Sequence, residues 1–376
     1  MPGIYIHIPF CSKACNYCNF HFSTSLANKE AMVKAIAKEI ELSQNADLKT
    51  LHAKPIIETI YFGGGTPSLL SNDELKMLLD AIHKTFNVSS NTEITLETNP
   101  DDHTPEKLEA WKLAGINRLS IGVQSFYEAD LIWMNRAHNA KQSINCIKAA
   151  QDKGFHNLTI DLIYGIPGLT DERWKHNFDT AIVLGIPHLS CYALTVEPKT
   201  ALDNLIIKKA VMNVDSDQQA NQFLQLMDWA KAGGFEHYEI SNFAKPGHRS
   251  RHNSNYWSGV PYYGFGPSAH SFDGDKTRWW NVANNALYLK AIENNLPCFE
   301  AEVLTPVQQQ NEYIMTALRT IEGIEKIKTE MFESLLLKAK KWVQQGKVLT
   351  DENHIWLPNE GMLFADGIAG DLFADA

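Results

Sequence analysis

Three of the six cysteines in this 376-residue chain fall on one short stretch, Cys11-Ser-Lys-Ala-Cys15-Asn-Tyr-Cys18, directly after the mainly apolar run Ile4-Tyr-Ile-His-Ile-Pro9. Three thiolates on one loop can hold three irons of a cubane 4Fe-4S cluster, leaving the fourth iron open to a ligand that is not protein. A structural zinc ion is the alternative. It needs a fourth ligand, which His21 could supply, and usually a paired C-x2-C, which the sequence lacks. Cys146, Cys191 and Cys298 are far apart in apolar surroundings and read as buried free thiols.

A second set of residues that could do chemistry is spread along the first half of the chain. Gly63-Gly64-Gly65 follows an apolar run, while Glu97, Gln124 and Asp161 interrupt or end other apolar runs. A polar side chain inside an apolar strand is costly to bury unless it is hydrogen-bonded, so each has either a structural partner or a ligand. The glycines alone make a tight turn; beside a ligand they permit close backbone approach, here to an amino-acid moiety.

The elements needed to gather these groups are legible as alternating strand and helix signals. Strands are expected at 2–9, 56–62, 93–97, 118–123, 158–164 and 188–194, with helices at 28–46, 73–86, 105–114, 141–153 and 171–184. Six strand-helix units in succession predict a parallel sheet with outer helices. The steps Gly64 to Glu97, Glu97 to Gln124 and Gln124 to Asp161 are 33, 27 and 37 residues, the length of such units. Glycines, polar residues and cysteine loop then all fall at carboxyl ends of strands, where α/β folds bind ligands.

The tail reads as two helices, 305–320 and 328–345, followed by a hairpin over 346–357, a winged-helix-like module for packing, dimerisation or a partner. We therefore divide the chain into a barrel domain at 1–235, a barrel extension and connecting segment at 236–297, and a small C-terminal domain at 298–376. With 34 basic and 44 acidic residues the net charge is −10, and no basic stripe stands out, so nucleic acid is not an expected partner. Neither a secretory signal nor a run of eighteen apolar residues occurs, and free clustered cysteines suit a reducing compartment, so the cytoplasm is the expected location.

Four segments together, Cys11…Cys18, Tyr61-Phe-Gly-Gly-Gly-Thr-Pro67, Leu119-Ser-Ile-Gly-Val-Gln-Ser-Phe126 and Asp161-Leu-Ile-Tyr-Gly-Ile-Pro-Gly168, resemble the radical S-adenosylmethionine (SAM) group that contains oxygen-independent coproporphyrinogen III oxidase and the HemW-type haem chaperones. The resemblance implies an α/β fold, a partial (β/α)6 barrel, whose 4Fe-4S cluster is held by Cys11, Cys15 and Cys18 and binds SAM. It also implies that Tyr5 and Tyr17 line SAM, that Gly64, Gly65 and Thr66 meet its methionine end, and that Glu97 accepts hydrogen bonds from that end or from the ribose. Arg136 would pair with a carboxylate, Gln124 and Asp161 would hold ribose hydroxyls, and Ala193 would touch the adenine. Without the resemblance, Arg136 reads equally well as a solvated helix residue.

Within the group, the oxidase carries a further cysteine where this chain has Phe20, and a substantial segment before the cluster where only ten residues precede Cys11 here. Arg251-His-Asn-Ser-Asn-Tyr-Trp257 matches the His-Asn-x-x-Tyr-Trp pattern associated with haem handling. The resemblance thus implies a chaperone that binds haem and passes it to an apoprotein, with a respiratory protein one candidate recipient and any membrane contact made through that partner. His252 is the candidate haem ligand, His237, His248 and His270 its rivals; the bland alternative is a hydrogen-bonded surface turn. The oxidase, which decarboxylates coproporphyrinogen III, is the second reading. A non-catalytic iron-sulfur scaffold is the third.

Overall fold

A computed structural model describes residues 2–43 and 55–374. Six parallel strands form its centre: β1 (Gly3–Ile8), β2 (Ile56–Gly64), β3 (Asn87–Thr98), β4 (Arg118–Gln124), β5 (Leu158–Tyr164) and β6 (His188–Ala193), paired in that order. Helices Lys29–Leu42, Asn72–Thr85, Pro105–Leu113, Ala140–Asp152 and Asp171–Val183 connect them, as the alternating pattern predicts. The expected end of the first helix, 44–46, lies outside the described residues.

Strand periodicity sorts the side chains into two faces. Ile6, Ile8, Ile60, Phe62, Leu96, Ile121 and Ile160 are fully buried members of the apolar core. The alternate positions, Tyr5, His7, Tyr61, Gly63, Glu97, Ser120, Gly122 and Asp161, carry the polar groups. A two-residue repeat thus places chemistry on one face and cohesion on the other.

The sheet does not stop at six strands. Beyond β6 it continues antiparallel through β8 (Asn242–Ala244) and β7 (Glu236–Glu239). On the other side, β9 (Tyr262–Phe265) lies parallel to β1 and is followed by β10 (His270–Phe272), β11 (Thr277–Asn281) and β12 (Phe299–Val303), giving a 12-stranded sheet. β12 carries the sheet past the boundary expected at 297. Its Phe-Glu-Ala-Glu-Val side chains are almost all exposed, so backbone pairing rather than an apolar pattern holds it there.

The remaining chain forms a small unit of helices Pro306–Ala317, Phe332–Gln344 and Ala365–Leu372 around a second sheet, β13 (Ile324–Glu325), β15 (His354–Trp356) and β14 (Leu349–Thr350). Ile314, Phe332, Leu335, Ile355 and Ile368 fill its interior. Among the described residues no helix is long and apolar enough to cross a membrane.

Candidate functional site

At the carboxyl ends of β1–β6 lies a cavity of about 420 Å³. Its walls include Cys11, Cys15, Tyr17, Cys18, Gly64, Gly65, Thr66, Glu97, Gln124, Arg136, Asp161 and Ala193, which gathers twelve of the residues singled out from sequence around one space. Tyr5 and His252 lie elsewhere.

The cysteine loop leaves β1 and is pinned to the glycine turn: Gly65 N donates to Ile8 O (2.9 Å) and Thr66 N to Phe10 O (2.6 Å). A Cβ on Gly65 would stand 2.5 Å from Phe10 O, and Gly64 has φ +101°, so both positions require glycine. All three thiols are free and half-buried. Burial pushes the Cys11 thiol up to about 11 and raises Cys18 as well; for Cys11, the nearby Cys18 and Cys15 add to the rise. Among the described residues no three His, Cys, Asp or Glu side chains already stand as a ready metal-binding group. The three cysteines nonetheless line one cavity.

Glu97 accepts hydrogen bonds from Tyr61 Oη (2.7 Å) and Gly64 N (3.2 Å). Burial, assisted by the negative charge of Asp161, pushes its carboxyl up to about 7. Asp161 is raised to about 7 by burial too, although hydrogen bonds with Ser190 and Ser120 favour its ionised form. Gln124 ends β4 with φ +66°, a left-handed backbone uncommon for a residue with a side chain, and the β4–β5 register shifts between Ile121 and Gln124. From this irregular strand end Gln124 lines the cavity.

Arg136 comes from beyond the helix Glu128–Trp133. Its Nη1 donates to Cys15 Sγ (3.2 Å), and its Nη2 to Asn99 Oδ1 (2.7 Å) and Gly122 O (2.8 Å). Its Nε is buried without a hydrogen-bond partner. This is not a solvated helix residue. Sequence reasoning missed Asn99, Ser120, Gly122 and Tyr192, which also line the cavity. Two-residue alternation back from Gln124 would have found Ser120 and Gly122; nothing local marks Asn99.

Tyr5 and His252 belong to a stack deeper in the barrel. Tyr5 Oη lies 3.2 Å from His7 Nδ1, the Tyr5 and Tyr61 rings are 6.2 Å apart, and the His252 ring lies 5.0 Å from that of Tyr61. His252 Nδ1 is 2.9 Å from Thr59 Oγ1, its backbone N–H donates to Glu93, and burial holds its imidazole down near 4, hence neutral at pH 7. Its helix, Arg251–Trp257, also presents exposed Tyr256. His237 stacks on Phe243 at 4.2 Å with Nε2 near Ile240 O, His270 is exposed beside Trp280, and His248 lies half-buried after β8. The four histidines do not converge.

The fold and its rim of ligand-type residues define a radical SAM protein: the family model described as the Radical SAM superfamily matches residues 5–181. The solved structure of the coproporphyrinogen III oxidase HemN from Escherichia coli superposes with a TM-score of 0.85 over 99% of this chain and 90% of that one, at 22% identity, a likeness of fold. In sequence, the heme chaperone HemW of Bacillus subtilis (strain 168) is 36% identical over 98% of each chain. The heme chaperone HemW of Escherichia coli (strain K12) is 34% identical over 71% of this chain and 69% of that one. The chain belongs to the HemW family.

Proposed function

We propose that the protein is a cytoplasmic haem chaperone: it holds a 4Fe-4S cluster and SAM in the rim cavity, binds haem through the Arg251–Trp257 helix, and passes the haem to an apoprotein. The convergence of twelve candidate residues on one cavity carries the first part of this reading. Three free cysteines on one loop supply the donor chemistry of the cluster, and the Arg136 guanidinium in the cavity wall supplies positive charge for a ligand carboxylate. When bound, a cluster of this kind supplies one-electron reducing chemistry to the sulfonium of SAM.

The protein's own residues bind and orient. Gly64 and Gly65 let the turn pack against His7 and the cysteine-loop backbone, so that the turn lies at the amino-acid end, Thr66 and Glu97 stand beside it, and Gln124 and Asp161 face the cavity from β4 and β5 as partners for hydroxyl groups. Glu97, with its carboxyl near 7, can also hold a proton at Oε1 or Oε2. For haem, the Thr59 contact at Nδ1 leaves Nε2 of a neutral His252 as the nitrogen suited to iron.

Anaerobic titration of the cluster-reconstituted protein with haem tests this reading, run beside a coproporphyrinogen-consumption assay on the same sample. We expect saturation near one haem per chain without substrate turnover, and a changed spectrum with His252→Ala. Turnover without specific haem binding would overturn the proposal in favour of the oxidase chemistry.

A further inference from the structure

The base of the cysteine loop is closed by Cys11 N donating to Ser23 O (3.0 Å) and Ser23 N to Pro9 O (2.9 Å), but its middle, residues 13–16, is held by a segment about 120 residues downstream. Asn16 Nδ2 donates to Trp133 O (2.8 Å) and Asn16 N to Met134 O (3.2 Å). In return, Asn135 Nδ2 donates to Ala14 O (2.8 Å), Lys13 Nζ to Arg136 O (3.1 Å), and Leu202 N to Asn16 O (2.7 Å). With Arg136 Nη1 on Cys15, every residue from 13 to 16 is tied to this region.

The downstream segment is itself rigidly based. The helix Glu128–Trp133 stops with Asn135 at φ +59°, where Asn135 N donates to Ile132 O (3.0 Å) and Arg136 N to Leu131 O (2.9 Å), closing the helix end. At the other end, Ser125 Oγ donates to Asp130 (2.8 Å), Phe126 N donates to Asn177 Oδ1 (2.8 Å), and buried Asp130 also pairs with Arg173. The helix is therefore fixed at both ends.

We infer that residues 133–136 are a clamp that sets the position of the cysteine loop, with Asn135 and Asn16 as positioning residues that touch neither cluster nor SAM. The inference rests on reading Cys11, Cys15 and Cys18 as cluster ligands. It differs from a plain helix-capping role for Asn135, because glycine serves the left-handed position at least as well as asparagine. Under the capping role Asn135→Gly is harmless. Under the clamp role it removes the bond to Ala14.

The test compares wild type, Asn135→Gly, Asn135→Asp and Asn16→Ala as full-length chains. Amide hydrogen exchange of residues 12–18 is followed in metal-free protein, and iron release to a chelator in reconstituted protein, with thermal unfolding as the control for folding. Loss of one such hydrogen bond should speed both processes about fivefold in Asn135→Gly. Asn135→Asp, which sets a carboxylate against the Ala14 carbonyl, should speed them further, with an unchanged unfolding midpoint. Exchange and iron release at wild-type rates in Asn135→Gly and Asn16→Ala would overturn the clamp. If the wild type itself takes up no iron, the cluster reading falls, and exchange in the metal-free chains still decides the clamp.

Discussion

Replacing Glu97 by glutamine should make the metal-free protein more stable at pH 8 than the wild type, while leaving the two closely matched near pH 5. Burial raises the Glu97 carboxyl from 4.5 to about 7 in the folded chain. Between these values the unfolded chain has released the proton and the folded chain keeps it. The folded state then binds more protons, so wild-type stability falls as pH rises through that window and levels off above about 7. A shift of this size corresponds to about 3 kcal/mol, which the half-buried position of the side chain reduces to about 1–2 kcal/mol. Glutamine has no proton to lose, accepts from Gly64 N with its oxygen, and donates to Tyr61 with its amide. Glu39, also raised to about 7, titrates in both proteins and cancels in the difference, while Asp161, whose charge opposes that of Glu97, adds to the gain of the glutamine variant at pH 8. Urea unfolding followed by circular dichroism at pH 5, 6, 7 and 8 measures the effect. Parallel stability curves for the two proteins would refute the account of Glu97 as an acid whose hydrogen bonds from Tyr61 and Gly64 do not offset its desolvation.

Two further outcomes follow from the cavity wall. Asp161→Ala should weaken SAM binding to the reconstituted protein about tenfold or more, the cost of a hydrogen-bonding partner that carries charge, with iron content per chain unchanged; equilibrium dialysis reads the first and iron analysis the second. Gly65→Ala should destabilise the protein by roughly 1–3 kcal/mol in urea, because its Cβ would press on Phe10 O and Ile8 O. Gly367→Ala, in a helix with open space around it, should be neutral or stabilising by about 0.5–1 kcal/mol in the same assay.

The six central strands were legible because each is an apolar run of strand length followed by a helix start, and the rim residues because they are polar where the run should continue to be apolar. Glu97 and Asp161 announce themselves in this way. The sheet extension was only outlined, since β8 and β10 have three residues each and β12 hides almost none of its side chains, leaving no periodic signal to read. Asn99 and Asn135 owe their importance to partners far along the chain, Arg136 in one case and Ala14 in the other, and no local pattern encodes such a meeting. His252 was found as a motif, but its place beneath Tyr61 depends on β2 and could not be read from the motif itself.

The position of β1 also dictates an order of assembly. This strand is made before the other strands of its sheet, yet it sits between β2 and β9, so one of its neighbours does not exist until residue 265 has been synthesised. Contacts of such long sequence separation form slowly, and β1 must wait for a partner made long after it. The cysteine loop, attached to that strand and held at its middle by residues near 135 and 202, emerges early but is seated late. If the loop takes up metal as proposed, a nascent chain shorter than about 202 residues presents its three thiols before the residues that line and brace their cavity are all made.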